Sequence, residues 1–163
     1  MKKFENKVVW ITGASSGIGE ASAYQFAKEG AKLILSARRE DELLRVKNNI
    51  QSLAGQYFAG DTTYNQVFLL PMDVEKIEEI PQKAKQAVEH LGRIDVLFNN
   101  AGISQRGSVL ETDMAVYQKI FNLNFFGVIA LTKAVLPFMQ QQKSGQIVVT
   151  SSISGKLATP MRS

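Results

Sequence analysis

The sequence of 163 residues contains no cysteine and a single histidine. A disulfide framework and a thiolate metal site are therefore excluded, and one imidazole cannot form a His cluster. No metal is expected, and the missing thiols fit a reducing, cytoplasmic setting. Long hydrophobic runs are also missing. The longest, Phe125 to Leu131, is bounded by Asn124 and Thr132 and falls far short of the ~20 residues that span a bilayer. The N-terminal stretch from Met1 to Lys7 leads straight into a short strand, without the apolar core of ~7–15 residues that marks a signal peptide. A soluble protein with no membrane partner is the expectation. Charge of one sign does not accumulate either: 19 basic and 15 acidic residues are scattered over every segment, giving +4 overall. With no basic stripe and no recognition motif, no nucleic-acid partner is expected.

What is present is enough apolar material, 45% of the residues, to bury one sizeable core, so residues 1–163 read as a single domain. Short runs rich in β-branched residues alternate with segments of helical period. The strand candidates are Val8–Ile11, Lys32–Ser36, Val67–Leu70, Asp95–Phe98 and Gln146–Thr150. Between them Leu43, Val46, Ile50 and Leu53 share one helix face, and Ile77, Ile80, Ala84, Ala87 and Leu91 share another. Such βαβ alternation predicts an α/β fold, a doubly wound Rossmann-type parallel sheet with strand order 3-2-1-4-5. The segment from Asp113 to Leu136 differs, because apolar residues occupy nearly its whole circumference. It predicts a helix buried on two sides, one against the sheet and one against another helix of this chain or a partner chain. Residues Gly55 to Gln66 read as a polar loop.

Directly after the first strand stands Thr12-Gly13-Ala14-Ser15-Ser16-Gly17-Ile18-Gly19, followed by a helix-compatible segment and the second strand. In that position glycines allow a tight turn, a close backbone approach to a pyrophosphate, and close helix-on-strand packing, with phosphate at the positive helix end. An ordinary Gly-rich βα turn is the plainer reading. The spacing is not that of a P-loop, which needs Lys and Ser/Thr after its last Gly, where this chain has Glu20. Asn99-Asn100-Ala101-Gly102 follows the fourth strand, Asn124-Phe125-Phe126-Gly127 lies in the apolar helix, and Ser151-Ser152 ends the fifth strand.

This ordered series of motifs resembles the classical short-chain dehydrogenases/reductases, and the resemblance extends over almost the whole chain. It implies that Gly13, Ser15, Ser16, Gly17, Ile18 and Gly19 cradle a dinucleotide, that Asp73 and Val74 meet its adenine, and that Asn100, Ala101 and Gly102 line its ribose. It also implies that Asn124 anchors a water of a proton relay and that Ser152 hydrogen-bonds the substrate carbonyl. Each residue has a bland alternative: Asn99 and Asn100 as a polar strand end, Asn124 as a helix side chain bonded to nearby backbone, Asp73 as a helix N-cap, Ser152 as a turn serine. His90 reads as a solvated histidine at a helix end capped by Gly92.

An NAD-preferring fold carries an acid after the second strand, on the ribose 2′-hydroxyl. Here Ala37 takes about that place and Arg38 follows it, offering a charged fork suited to a 2′-phosphate. NADP(H) is expected over NAD(H), while Arg39 reads as a helix-start charge paired with Glu40, Asp41 or Glu42. The resemblance puts the family's catalytic Tyr and Lys at positions 165 and 169, beyond Ser163. The leading expectation is an NADP(H)-dependent oxidoreductase acting on a small-molecule carbonyl or alcohol, inactive as this stretch alone. It would self-associate through the 113–136 helix. The alternative is a dinucleotide-binding sensor or scaffold without catalysis.

Overall fold

Side-chain alternation along the first strand sets the architecture. In the computed structural model, which describes residues 2–57, 66–157 and 160–161, β1 (Val8–Thr12) directs Val8 and Trp10 into one hydrophobic cluster and Val9 and Ile11 into another. A strand buried on both faces must lie inside a sheet covered by helices on both sides. β1 indeed pairs in parallel with β2 (Lys32–Ser36) and with β4 (Val96–Asn99). β3 (Val67–Leu69) and β5 (Gln146–Val149) complete a parallel sheet of order β3-β2-β1-β4-β5. That is the arrangement the alternating pattern predicts. Strand ends shift by a residue, as fraying termini do.

On one face α1 (Gly17–Lys28) and α2 (Glu40–Tyr57) cover β1 and β2, with Ala23, Ala27, Leu43, Val46 and Ile50 in the cluster. Alanines on α1 let its backbone lie close to the sheet. On the other face α3 (Ile80–Leu91) contributes Ile80, Ala84 and Ala87, while Ile77 stays exposed in the short 3-10 turn before it. Each fully buried Leu or Ile contributes roughly 1.5–3 kcal/mol. α2 runs on through Gly55 to Tyr57, so the loop expected over 55–66 starts later, and its middle lies outside the described residues. His90 is exposed in the last turn of α3, before the Gly92 cap, as expected, and one face of its ring stacks on Phe68 with centroids 3.9 Å apart.

The expected helix over 113–136 is one continuous path that carries an internal π-turn: α4 (Met114–Phe121), the π-turn Asn122–Phe126, and α5 (Gly127–Gln142). Asp113 caps α4, its side chain accepting from the Ala115 amide. Among the described residues the path Met114–Gln142 is the one helix long and apolar enough to cross a membrane by length and composition, a length hidden when only unbroken apolar runs are counted. Its inner side nevertheless packs on the sheet, through Leu123, Leu131, Val135 and Met139. No described residue covers its outer side, where Phe121, Phe125, Phe126, Ile129 and Leu136 are exposed.

Candidate functional site

The carboxyl ends of the strands open onto a cleft of about 780 Å³, where open parallel sheets place their ligands. The turn leaving β1 forms its floor. Gly13 and Gly17 adopt φ of +65° and +58°, a region L residues with side chains rarely enter. A Cβ on Gly13 would come within 2.9 Å of the Ala101 Cα, and one on Gly19 would collide with the Gly13 carbonyl oxygen. Gly17 faces open space. The three glycines thus divide the work: Gly13 turns the chain beneath the β4 loop, Gly17 holds the left-handed kink, and Gly19 seats α1 against the turn.

The walls follow from strand order. Ser15, Ser16 and Ile18 stand at the glycine turn, Arg38 after β2, and Asp73 and Val74 after β3. Asn100, Ala101 and Gly102 follow β4, Asn124 comes from the π-turn, and Ser152 follows β5. Of the expected site residues, Gly17 and Gly19 alone do not line the cleft; they shape its backbone.

Hydrogen bonds qualify several expected roles. Asn100 is a splice between strand ends: its Nδ2 donates to the carbonyls of Thr12 (3.2 Å) and Gly13 (3.4 Å), and its Oδ1 accepts from Thr150 Oγ1 at 2.9 Å. Thr12 Oγ1 in turn accepts the amides of Asn100 and Ala101, each at 3.0 Å. Thr12 was not among the expected site residues, although its place directly before Gly13 was its signal. Asn124 clamps the β4 loop, its Oδ1 accepting from the Ile103 amide (2.9 Å) and its Nδ2 donating to the Ile103 carbonyl (2.8 Å). This is a tie between two distant segments rather than a bond to local helix backbone; the second lone pair and second N–H of Asn124 still allow it to hold a water. The π-turn presents it: one extra residue in a turn rotates the following helix face by about 100°, and such turns recur at functional sites.

Asp73 Oδ1 accepts the Glu75 amide at 3.1 Å while the residue lines the cleft, so the turn bond does not take it away from the site. Ser152 caps the 3-10 turn Ile153–Gly155, its Oγ accepting from the Ser154 amide at 3.1 Å. The hydroxyl proton is left to donate. Arg38 and Arg39 are both exposed at the cleft, and neither has an ion-pair partner among the described residues. Arg39 therefore lacks the carboxylate partner expected for it; Glu42 is taken by Arg45. Ser16, at the N-cap of α1, makes no side-chain cap bond. The first amides of that helix therefore have no side-chain cap from Ser16.

Comparison with known proteins agrees with this geometry. The family model for short chain dehydrogenases matches residues 7–163. The human protein "Dehydrogenase/reductase SDR family member 7" is 43% identical over 154 residues, covering 94% of this chain and 44% of that protein. "Dehydrogenase/reductase SDR family protein 7-like" of Anopheles gambiae is 45% identical over 162 residues, covering 99% of this chain and 50% of that protein. The chain thus spans about half the length of these curated relatives. Among solved structures, levodione reductase superposes with a TM-score of 0.88 at 31% identity, over 99% of this chain and 60% of that one. A 7α-hydroxysteroid dehydrogenase complexed with NADH and 7-oxo glycochenodeoxycholic acid gives 0.85 at 29% identity, over 97% and 58%. Motif order, sheet order and family match converge: the chain belongs to the short-chain dehydrogenase/reductase family.

Proposed function

We propose that this chain supplies the dinucleotide site and part of the substrate site of an oxidoreductase that moves hydride between NADP(H) and a carbonyl or alcohol. The observation that carries the reading is the pairing, at one cleft, of an uncapped α1 N-terminus on a glycine turn with a serine whose hydroxyl proton is free. The first suits a pyrophosphate, whose oxygens would take up the orphan amides. When bound, the nicotinamide ring donates or accepts the hydride. The chain's own residues do the rest. Gly13, Gly17 and Gly19 keep the turn low enough for a phosphate to approach, Asp73 and Val74 bound the adenine side, and Ala101 and Gly102 bound the ribose. Asn100 acts there mainly by holding three strand ends together.

Ser152 would donate its hydroxyl proton as a hydrogen bond to the substrate oxygen, where negative charge grows as hydride arrives, and so stabilise the transition state more than the ground state. Protonating that oxygen is a different task. Among the described residues lining the cleft there is no Tyr, Lys or His, and a serine hydroxyl is too weak an acid to replace one. In this reading residues 1–163 alone bind cofactor without appreciable turnover, and the proton donor is the Tyr that the family resemblance puts at position 165.

The preference for NADP(H) rests on Arg38, unpaired and exposed at the cleft with no acid in the place of Ala37. Calorimetric titration with NADPH and NADH tests it. Arg38→Asp, which exchanges attraction for repulsion, should lower the NADPH-to-NADH affinity ratio by about 10- to 100-fold. An unchanged ratio would remove Arg38 from cofactor selection, and no binding of either dinucleotide would sink the whole reading.

A further inference from the structure

The glycine turn is gripped from outside the cleft. Arg45, on α2, donates through Nη2 to the Ser15 carbonyl oxygen at 3.1 Å, yet is not one of the residues lining the cleft. The rest of its guanidinium is fixed as well. Nη1 and Nη2 form a fork on the two oxygens of Glu20 (2.8 and 2.9 Å), and Nε donates to Glu42 at 2.8 Å. Glu20, in the first turn of α1, is itself held by Tyr24, whose hydroxyl donates to it at 2.6 Å and accepts from Asn49 Nδ2 at 3.2 Å. The hydrogen bond from Arg45 is the main reason the Glu20 carboxyl lies below its ordinary range, and it outweighs partial burial. Five side chains from two helices therefore converge behind one carbonyl of the turn.

That carbonyl belongs to the peptide joining Ser15 to Ser16. No peptide bond of the described chain is cis, and in a planar trans peptide the C=O and the following N–H point in opposite directions. Holding the Ser15 oxygen on the α2 side turns the Ser16 N–H away from α2. Ser15 and Ser16 both line the cleft, and the Ser16 amide has no partner among the described residues. We infer that Arg45 is a positioning residue for the cofactor: it fixes the Ser15–Ser16 peptide so that the Ser16 amide faces the dinucleotide's phosphates and the Ser15 oxygen does not. This rests on the dinucleotide reading above and adds to it a residue outside the cleft. A merely structural clip predicts something else. Exposed ion pairs contribute only modestly to stability, so its loss would slightly loosen α1 on α2 without a selective effect at Ser16.

The test uses the isotope-labelled chain, NADPH and amide NMR. In the wild type, saturation with NADPH should move the Ser16 amide proton strongly downfield, as a phosphate hydrogen bond does. In Arg45→Met the affinity for NADPH should fall about tenfold, the scale of one lost charge-assisted hydrogen bond. The Ser16 displacement at saturation should shrink while those of Ala101 and Gly102 persist. Arg45→Lys keeps the charge but not the fork, and should lie between the two; if Arg45→Met does not fold, this variant decides. A wild type that binds NADPH without displacing the Ser16 amide, or a folded variant with unchanged affinity and displacement, overturns the role of Arg45 and leaves the dinucleotide site standing. A wild type that binds neither NADPH nor NADH overturns both.

Discussion

β1 and β5 are both short, parallel and apolar, yet their fates in the fold are opposite. Residues 8–11 of β1 are at most 1% exposed, whereas Ile147, Val148 and Val149 of β5 are 37%, 41% and 50% exposed. Composition does not separate them; position does. β1 lies at the centre of the sheet beneath two helical layers, whereas β5 is the outermost strand of the stretch 1–163, and the described residues cover neither of its faces. The same contrast recurs one layer up, where the inner side of α5 is core and its outer side is bare. An apolar strand or helix thus states what it is able to bury, and the surrounding topology decides whether it does.

The contrast is broken most directly by cutting into both strands. Trp10→Ala removes the largest side chain of the core and, with it, the Nε1 donor to the Ser36 hydroxyl at 2.8 Å, leaving that hydroxyl only its own bond to the Leu70 carbonyl. About 3–5 kcal/mol of stability should be lost. Val148→Ala, made in a strand with the same kind of sequence, should cost less than about 1 kcal/mol. Urea unfolding of both variants checks this, and comparable losses would mean that β5 is covered after all.

The same contrast explains what the sequence could tell. The sheet order, both amphipathic faces of α2 and α3 and the glycine turn were legible, because each depends on local period or on backbone freedom at Gly13 and Gly17. Roles that depend on side chains meeting across the fold were not. Arg45 reaches Glu20 and Ser15 on another helix and its preceding turn, and Thr12 accepts amides from the far side of the β1–β4 pair. The π-turn was hidden as well, since a 3.6-residue period carries no mark of one inserted residue. The pairing expected of Arg39 failed for a related reason: Glu42 had a better placed guanidinium one turn further on.

At the boundary between the covered and bare halves, Asp95 sharpens the comparison. It precedes β4, accepts the Val8 amide at 2.9 Å and is bridged by Arg93 and Lys7, while its own carbonyl accepts the Gln146 amide leading into β5. Burial pushes its carboxyl up, but the Val8 amide, Arg93 and Lys7 outweigh this and leave it below the ordinary range. Its contribution is therefore present above the unfolded carboxylate value of about 3.9 and is lost as pH falls through the lower folded value. Asp95→Asn should cost about 2–4 kcal/mol at pH 7. The gap between variant and wild type should narrow on acidification below about pH 4. A gap constant from pH 7 to pH 3 would show that charge is not what Asp95 contributes.

The smallest effect on folding, and the sharpest on association, is expected at the outer side of the long helix. Phe125, Ile129 and Leu136 are 50%, 41% and 40% exposed there, and an apolar strip of this kind is costly to leave in water. We propose that a second copy of the chain covers it, each helix meeting its equivalent about a twofold axis, as closed symmetric pairs do. Ile129→Asp then separates two quantities that are easily confused. In the single chain Ile129 is already partly solvated, so the substitution should change unfolding free energy by no more than about 0.5 kcal/mol, provided it is measured at a concentration where wild type and variant are both monomeric, because mass action otherwise adds association to the apparent stability. In the pair, two symmetry-related carboxylates would enter a desolvated strip and repel one another, so association should be lost. Sedimentation equilibrium over a dilution series reads this directly: a wild type that pairs and a variant that does not is the expected outcome, whereas a wild type that stays monomeric at every concentration would leave the outer face of α5 as bare in solution as the outer edge of the sheet.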